Sequence, residues 1–177
     1  MKVYIAKIDY FDPKTWPVLG APYAGQNPKT SRANITEVAD KLGKDGIALL
    51  VGAKTARTYR PHQGKLLGAV RCHMALYHTK EVVDTKHHTS RHFTRNGRGG
   101  GFRMPYAMPF SELWKCHSPL IQAKVACNDE INGRRFPPEW FIRLSDKQGK
   151  EALGVLEKHA DGPFDLPRPD KGFICDL

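Results

Sequence analysis

The sequence predicts an α+β fold in which a small β-barrel of about six strands is flanked by short helices. Segments with strand patterns follow one another in runs instead of alternating strictly with helices. The 16 glycines and 13 prolines are typical of short strands joined by many turns. A length of 177 residues, with 40% hydrophobic and 26% charged residues, indicates one globular domain whose core is stable without disulfide bonds or structural metal ions.

Six segments carry the apolar alternation or the short apolar run that is typical of strands. Gly68 lies inside the third of them, where a bulge or a close backbone contact is expected. The six segments are Val3–Ile8, Ile47–Val51, Lys65–Leu76, Arg103–Phe110, Leu120–Ala126 and Glu139–Leu144.

The first helix is predicted to begin at Asn34. Asn34 is a good N-cap, and Glu37, three residues later, completes a capping box. Three apolar residues then share one helix face, and Gly43 is a plausible C-terminal stop, so we expect about two turns. The residues of that face are Ile35, Val38 and Leu42.

The second helix is predicted from the same capping logic at Ser145–Gln148, with its end at Gly162-Pro163. The proline-rich tail that follows is expected to be an extended arm packed on the domain.

Between the first strand and the first helix, a polar segment from Asp12 to about Arg32 is predicted to be a long loop, and loops of that length are often functional.

The charge of the chain points to a polyanionic partner. Twenty-eight Lys and Arg residues against 18 acidic ones give +10, with a pI near 9.6. Domains with a pI above about 9 commonly bind nucleic acid. The excess is local, since the segment 86–103 is rich in Arg, His and Gly and contains no acidic residue. Such a concentration steers an anion to one face.

The four cysteines do not form a C-x-x-C pair, and Met1-Lys2-Val3 does not resemble a secretory signal, so we expect reduced thiols and a cytoplasmic location. The His and Cys spacings do not match a structural zinc site or a His/Asn nuclease motif. We expect no metal, no cofactor and no membrane partner. The residues weighed were His87, His88, His92, Asn96, Cys116, His117 and Cys127.

The order of these segments resembles the PUA-like superfamily, in particular its EVE and ASCH branches. The most specific similarity is the segment Gly64-Lys65-Leu66-Leu67-Gly68-Ala69-Val70, which follows the pattern of their hairpin. The proline-containing segment 104–114 and the late strand at 140–144 are also similar. The resemblance implies a PUA-like domain over residues 1–160, with a basic insert at about 86–103, and a C-terminal arm over 161–177.

The resemblance further implies a concave face that binds nucleic acid and, in several relatives, a flipped and modified base. Stacking such a base requires aromatic rings, and its polar edge requires hydrogen-bonding groups. Aromatic residues near Pro/Gly-rich connections and polar residues at the predicted helix start are the candidates. The predicted base-pocket residues are Trp16, Ser31, Asn34, Tyr59, Tyr106 and Trp114.

Arginine and lysine side chains in the basic connections are the candidates for phosphate contacts, because arginine binds phosphate in a bidentate manner. The predicted phosphate-binding residues are Arg32, Lys54, Arg57, Arg60, Arg91, Arg95, Arg98 and Arg103.

The leading hypothesis is therefore a non-catalytic reader of a modified base, with DNA favoured over RNA, within a restriction or defence system that includes an effector nuclease or NTPase subunit. A second hypothesis is an ASCH-like, metal-independent hydrolase or ribonuclease that acts on RNA or a modified nucleoside, with Lys65, Arg71 and Glu112 in its cleft. A third is an adaptor whose basic face binds an acidic protein.

Overall fold

The computed structural model describes residues 1–20, 28–90, 94, 103–127 and 141–177. Over these residues the fold is mixed α+β, with nine strands in one sheet and four α-helices, so the predicted class is confirmed. The sheet does not close within the described residues, and a barrel is not confirmed. None of the helices in these ranges is long and apolar enough to cross a bilayer.

The strands are β1 (Val3–Ile8), β2 (Val18–Gly20), β3 (Ile47–Gly52), β4 (Leu66–Cys72), β5 (Ala75–His78), β6 (Tyr106–Cys116), β7 (Phe141–Arg143), β8 (Ala160–Asp165) and β9 (Phe173–Asp176). The helices are α1 (Pro28–Leu42), α2 (Thr79–Val82), α3 (Ala123–Cys127) and α4 (Asp146–His159), with 3₁₀ turns at Arg60–His62 and Thr85–His87.

The chain divides into two compact units, each made of three segments. The first unit contains Met1–Phe11, Asp45–Arg71 and Glu112–Asp165. The second unit contains Asp12–Lys44, Cys72–Ser111 and Leu166–Leu177.

In the first unit, β1 lies between β3, which runs parallel to it, and β7, which runs antiparallel. Strand β4 continues the sheet antiparallel to β3, and β8 pairs antiparallel with the second half of β6. Alternate residues of β1 and β3 pack with α3 and α4 in an apolar core. Its members include Val3, Ile5, Ile47, Leu49, Val51, Ala123, Ala126, Ala152 and Leu156.

In the second unit, β2 and β5 pair antiparallel with the first half of β6, and β9 pairs antiparallel with β5. The strand β2 lies within the segment that the sequence predicts to be a loop. It is three buried residues long, Val18–Gly20, and so short a strand has no alternation to recognise.

Helix α1 begins earlier than predicted. It starts at Pro28 and has 15 residues, so Asn34 lies inside the helix and is not its cap. Proline suits the first turn because the amide it lacks would have no helical partner there. The predicted face is correct, since Ile35, Val38 and Leu42 are buried. Gly43 ends the helix with φ +62°.

The predicted strand Lys65–Leu76 is two strands. The chain turns at Met74, where the Ala75 amide donates to the His73 carbonyl at 2.7 Å, and an alternating pattern does not reveal such a turn. The expected close contact at Gly68 is confirmed, because a Cβ atom there would lie 2.1 Å from the Trp114 carbonyl oxygen.

The predicted strand Leu120–Ala126 is wrong, because helix α3 occupies Ala123–Cys127. Ala123 and Ala126 are buried while Val125 is 58% exposed. In a strand, residues 123 and 125 would share a face, whereas the helical spacing of three residues buries 123 with 126.

The predicted strand Val3–Ile8 is confirmed with its bounds, and the other remaining predicted strands are found with different bounds. Strand β6 is longer than the predicted Arg103–Phe110 and begins at Tyr106. The predicted strand Glu139–Leu144 corresponds to β7, Phe141–Arg143, and residues 139 and 140 lie outside the described part.

The capping box of α4 is confirmed. Ser145 Oγ accepts from the Gln148 amide at 3.3 Å, and Gln148 Oε1 accepts from the Ser145 amide at 3.0 Å. The helix ends at His159, before the predicted stop, and Gly162-Pro163 lies within β8. The tail therefore includes two paired strands, β8 and β9.

The thiol of Cys116, in the core of the first unit, makes the free energy of unfolding depend on pH in the alkaline range. Burial raises the pKa of this thiol from its ordinary value of 9.0 to about 11. Between these pH values the unfolded thiol loses its proton while the folded one keeps it. The free energy of unfolding is therefore expected to fall as pH rises through this window.

Urea denaturation of the native chain and of Cys116→Ala across this window measures the effect. The decrease in the free energy of unfolding with rising pH should be smaller in Cys116→Ala than in the native chain. A decrease should remain, because burial also raises the pKa of Cys72. Equal falls in the two proteins would contradict a buried, protonated thiol at Cys116.

Candidate nucleic-acid interface

The candidate site of the first unit lies where the parallel strands β1 and β3 end. Strand β1 is followed directly by Asp9 and Tyr10, and β3 is followed by residues 53–65, which we call the Tyr59 loop. The carboxyl ends of parallel strands meet at one edge of a sheet, which is a common position for ligand sites. Parallel pairing from Val3↔Ile47 to Ile8↔Gly52 brings the two connections together.

Asp9 fixes the conformation of the Tyr59 loop. Its Oδ1 accepts hydrogen bonds from Thr55 Oγ1 at 3.1 Å and Thr58 Oγ1 at 2.8 Å. Its backbone carbonyl accepts from the Tyr59 amide at 2.9 Å. Gln63 Nε2 donates to the carbonyls of Thr55 and Thr58 at 3.1 and 3.4 Å. The loop is therefore ordered before any ligand binds, which lowers the entropic cost of binding.

Backbone hydrogen bonds close the base of the Tyr59 loop. The Gly52 amide donates to the Lys65 carbonyl at 3.0 Å, and the Gly64 amide donates back to the Gly52 carbonyl at 2.9 Å. Gly64 has φ +67°, a conformation that favours glycine. The side chain of Lys54 passes over Gly64, because a Cβ atom there would lie 2.8 Å from Lys54 Cε.

Three rings form an aromatic cluster at this edge. The Tyr59 and His62 rings are 4.8 Å apart at 84°, and the Tyr10 ring lies 6.0 Å from Tyr59 and 5.9 Å from His62. Edge-to-face arrangements of this kind are favourable. Tyr59 nevertheless remains 44% exposed. A large ring held by its neighbours yet open to solvent is suited to stacking with a ligand.

The charge of the Tyr59 loop is uniformly positive. Lys54, Arg57 and Arg60 are exposed and Lys65 is half-buried, while residues 53–65 contain no acidic side chain. Lys54, Arg57 and Arg60 are spaced three residues apart on either side of Tyr59. The structure therefore brings one predicted base-pocket residue together with three predicted phosphate-binding residues.

Removing the Asp9 carboxylate is expected to lower the free energy of unfolding of the first unit. Asp9→Ala leaves the buried Thr58 hydroxyl without this acceptor, and losing such a bond costs about 1–3 kcal/mol. Urea denaturation measures the change in the free energy of unfolding. Asp45→Ala, which removes an exposed carboxylate of the same unit, is the control and should change it by less than about 0.5 kcal/mol. Equal effects of the two substitutions would show that Asp9 does not hold the loop.

Of the other predicted base-pocket residues, one belongs to the first unit. Trp114, in the first unit, is half-buried on β6, with the Arg71 guanidinium 5.8 Å from its ring centre. The second unit contains Trp16, Ser31, Asn34 and Tyr106.

Within the second unit, burial limits how much of these four side chains is accessible to a ligand. Trp16 is 5% exposed and meets the His87 ring edge-on at 5.4 Å, and Ser31 is fully buried. Asn34 is half-buried within α1. Tyr106 is half-buried, with the exposed His78 ring 5.5 Å away.

The remaining predicted phosphate-binding residues belong to the second unit or lie outside the described residues. Arg32 is exposed on α1, with Nη2 at 3.9 Å from Cys175 Sγ, and Arg103 is half-buried just before β6. Arg91, Arg95 and Arg98 lie outside the described residues.

Sequence reasoning did not single out Asp9, Tyr10 or His62 as members of the site. Tyr10 and Asp9 follow a strand directly, and a hydroxyl-rich segment follows the neighbouring strand, so a signal was present in the sequence. Using it required the parallel pairing of β1 with β3, which local pattern does not give.

His87, one of the residues weighed for metal binding, is part of a partly buried hydrogen-bond chain in the second unit. Thr15 Oγ1 donates to Asp12 Oδ2 at 2.9 Å and lies 2.9 Å from His87 Nε2. The single hydroxyl proton is used on Asp12, so His87 Nε2 carries a proton and donates to Thr15. Across the described ranges, His, Cys, Asp and Glu do not gather in a group of three or more that could hold a metal ion.

No protein-family model matches the chain, and a search of curated proteins finds no match. The class of protein is therefore defined by fold and site alone. It is an α+β protein whose first unit presents a basic, aromatic loop at the ends of two parallel strands.

Proposed function

We propose that this chain binds nucleic acid through the Tyr59 loop. The observation that carries the proposal is the exposed Tyr59 ring, supported by Tyr10 and His62, with exposed cations before and after it along the loop. Nucleic acids offer two groups that match these features, namely the flat faces of bases and regularly spaced phosphates.

The proposal explains the two features together. Stacking on an aromatic side chain contributes about 1–3 kcal/mol per base, and it tolerates every base because each has a π face. Lysine and arginine contacts with phosphates release condensed counterions, which makes binding depend on salt. An acidic protein surface would use the cations but would leave the open ring without a specific role.

The finer form of the proposal is a reader that takes one flipped, modified base, with DNA favoured over RNA, in a cytoplasmic restriction or defence system with an effector nuclease or NTPase subunit. The resemblance of residues 64–70 to the PUA-like hairpin supports it, since these residues span the end of the Tyr59 loop and most of β4. In this proposal the strands curve into a PUA-like barrel, and Tyr59 stacks on the extruded base.

A salt titration tests the function. Fluorescence anisotropy with labelled oligonucleotides should show binding at low salt whose logarithmic affinity falls linearly with the logarithm of salt concentration. A slope of about −2 to −4 would match the number of cations in the loop. An oligonucleotide with one modified base should bind more tightly than its unmodified counterpart if the finer form holds. Absence of binding to any nucleic acid at low salt would overturn the proposal.

The hydrolase alternative is supported by one arrangement in the first unit. Arg71 Nη1 lies 3.0 Å from both carboxylate oxygens of Glu112, beside Trp114. Lys65 does not join them, because it is six residues from Arg71 along the strand direction, about 20 Å. Lys65 instead forms a β-bridge with Gln122. Incubation with RNA and with modified nucleosides would show metal-independent products if this alternative holds, and Glu112→Gln should abolish them.

A further inference from the structure

The exposure of the Tyr59 side chain bears on the kind of nucleic acid that the loop binds. The ring is 44% exposed although its backbone amide, the neighbouring Thr58 hydroxyl and two flanking rings all hold it in place. An ordered and open aromatic ring is a surface for stacking. A base whose face is accessible is a suitable partner for such a ring.

An intact duplex does not offer such a ring along its length. Its bases are stacked on both sides, and it presents only base edges and phosphates in its grooves. Single strands and unpaired positions do expose base faces, and proteins that bind them combine aromatic side chains with a basic groove. The cations of the Tyr59 loop suit either form, so the ring is the feature that distinguishes them.

The loop is also preorganised for an unpaired base. Asp9 and Gln63 fix its backbone through five hydrogen bonds, so the ring does not have to be ordered when a base arrives. Residues 53–65 contain no Phe, Leu, Ile or Met, side chains that proteins commonly insert between base steps to open a duplex. The free energy needed to unpair a base is therefore left to the nucleic acid itself.

From these observations we infer that the Tyr59 loop selects nucleic acid by the availability of an unpaired base. The expected order of affinity is single strand, then duplex with one central mismatch, then perfect duplex. This inference rests on the proposed function and names the ligand class for the same site. Since extraction costs least for a mismatched base, the mismatch falls between the extremes.

The experiment compares three labelled oligonucleotides of one length and sequence, namely a single strand, a duplex with a central mismatch and a perfect duplex. Anisotropy titrations use the native chain, Tyr59→Phe, Tyr59→Leu and Arg57→Gln. Tyr59 and Arg57 are exposed, so all three variants should fold, and circular dichroism verifies this. Tyr59→Phe keeps the ring and is the matched control for Tyr59→Leu.

The native chain should bind the single strand at least about tenfold more tightly than the perfect duplex. Tyr59→Leu should lose about tenfold for the single strand and little for the duplex, and Tyr59→Phe should retain the native preference. Arg57→Gln should weaken binding to all three ligands by a similar factor.

Two different failures can be distinguished. Salt-dependent binding that is equal for single strand and duplex, and unchanged by Tyr59→Leu, would overturn the inference while leaving nucleic-acid binding intact. Absence of binding to all three ligands at low salt would overturn the proposed function as well.

Discussion

Replacing Lys54, Arg57 and Arg60 together with glutamine is expected to lower the affinity for a single-stranded oligonucleotide by about a hundredfold at moderate salt. These three exposed side chains are the main cations of the Tyr59 loop. Each phosphate contact that is lost removes the release of one condensed counterion. The slope of logarithmic affinity against logarithmic salt concentration should therefore fall by about one for each cation removed.

A matched control comes from α4. Lys147, Lys150 and Lys158 are exposed cations in the same unit, and their replacement with glutamine changes the net charge by the same amount. Anisotropy titration over a range of salt concentrations compares the two triple variants. Binding should be reduced only slightly in the α4 variant. If both variants lose the same affinity and the same slope, the overall charge of the protein, and not the loop, determines binding.

Replacing Gly52 with alanine is expected to produce the largest loss of stability among single substitutions near the site. A Cβ atom at residue 52 would lie 1.7 Å from the His62 carbonyl oxygen, and this neighbour is backbone that a rotamer change cannot move. Relief requires displacing β3 or the turn at Arg60–His62, so the free energy of unfolding should fall by about 3 kcal/mol or more. Nucleic-acid affinity should fall with it, because His62 supports Tyr59.

Gly154→Ala is the control for this substitution. Gly154 lies within α4, and a Cβ atom there meets no atom within 4 Å. Alanine in a helix interior is favoured over glycine by about 0.5–1 kcal/mol, so Gly154→Ala should stabilise the protein. Urea denaturation gives both free energies. A Gly52→Ala protein as stable as the native chain would show that β3 and the turn do not approach as closely as described.

The elements that were predicted correctly are those with a complete local signal. The apolar residues of β3 and the Ser145/Gln148 capping box lie within a few residues of one another, so they predict structure without knowledge of the rest of the chain. Helix α3 shows the opposite case. Its segment alternates well enough for a strand, and only packing of Ala123 and Ala126 against the core selects the helix.

The candidate site was predicted in part for the same reason. Tyr59 and its flanking cations are neighbours in sequence, and their types are typical of nucleic-acid contacts. Whether Tyr59 shares a site with Trp16 or Ser31 depends on tertiary structure, which a local sequence pattern does not contain. The structure places Trp16 and Ser31 in the interior of the second unit. The support that Asp9 gives to Thr55 and Thr58 depends on residues that are 46 and 49 positions away.

The segments of the two units alternate along the chain, and this order determines how the protein can be divided into fragments. The shortest contiguous fragment that contains the first unit, residues 1–165, lacks only Leu166–Leu177 of the second. Deletion mapping is the usual way to locate a binding activity, but truncations that extend beyond residues 1–11 or 166–177 remove parts of both units. Point substitutions on the intact polypeptide are the appropriate means of assigning activity to one unit, and a protease-resistant half should not be expected from limited digestion.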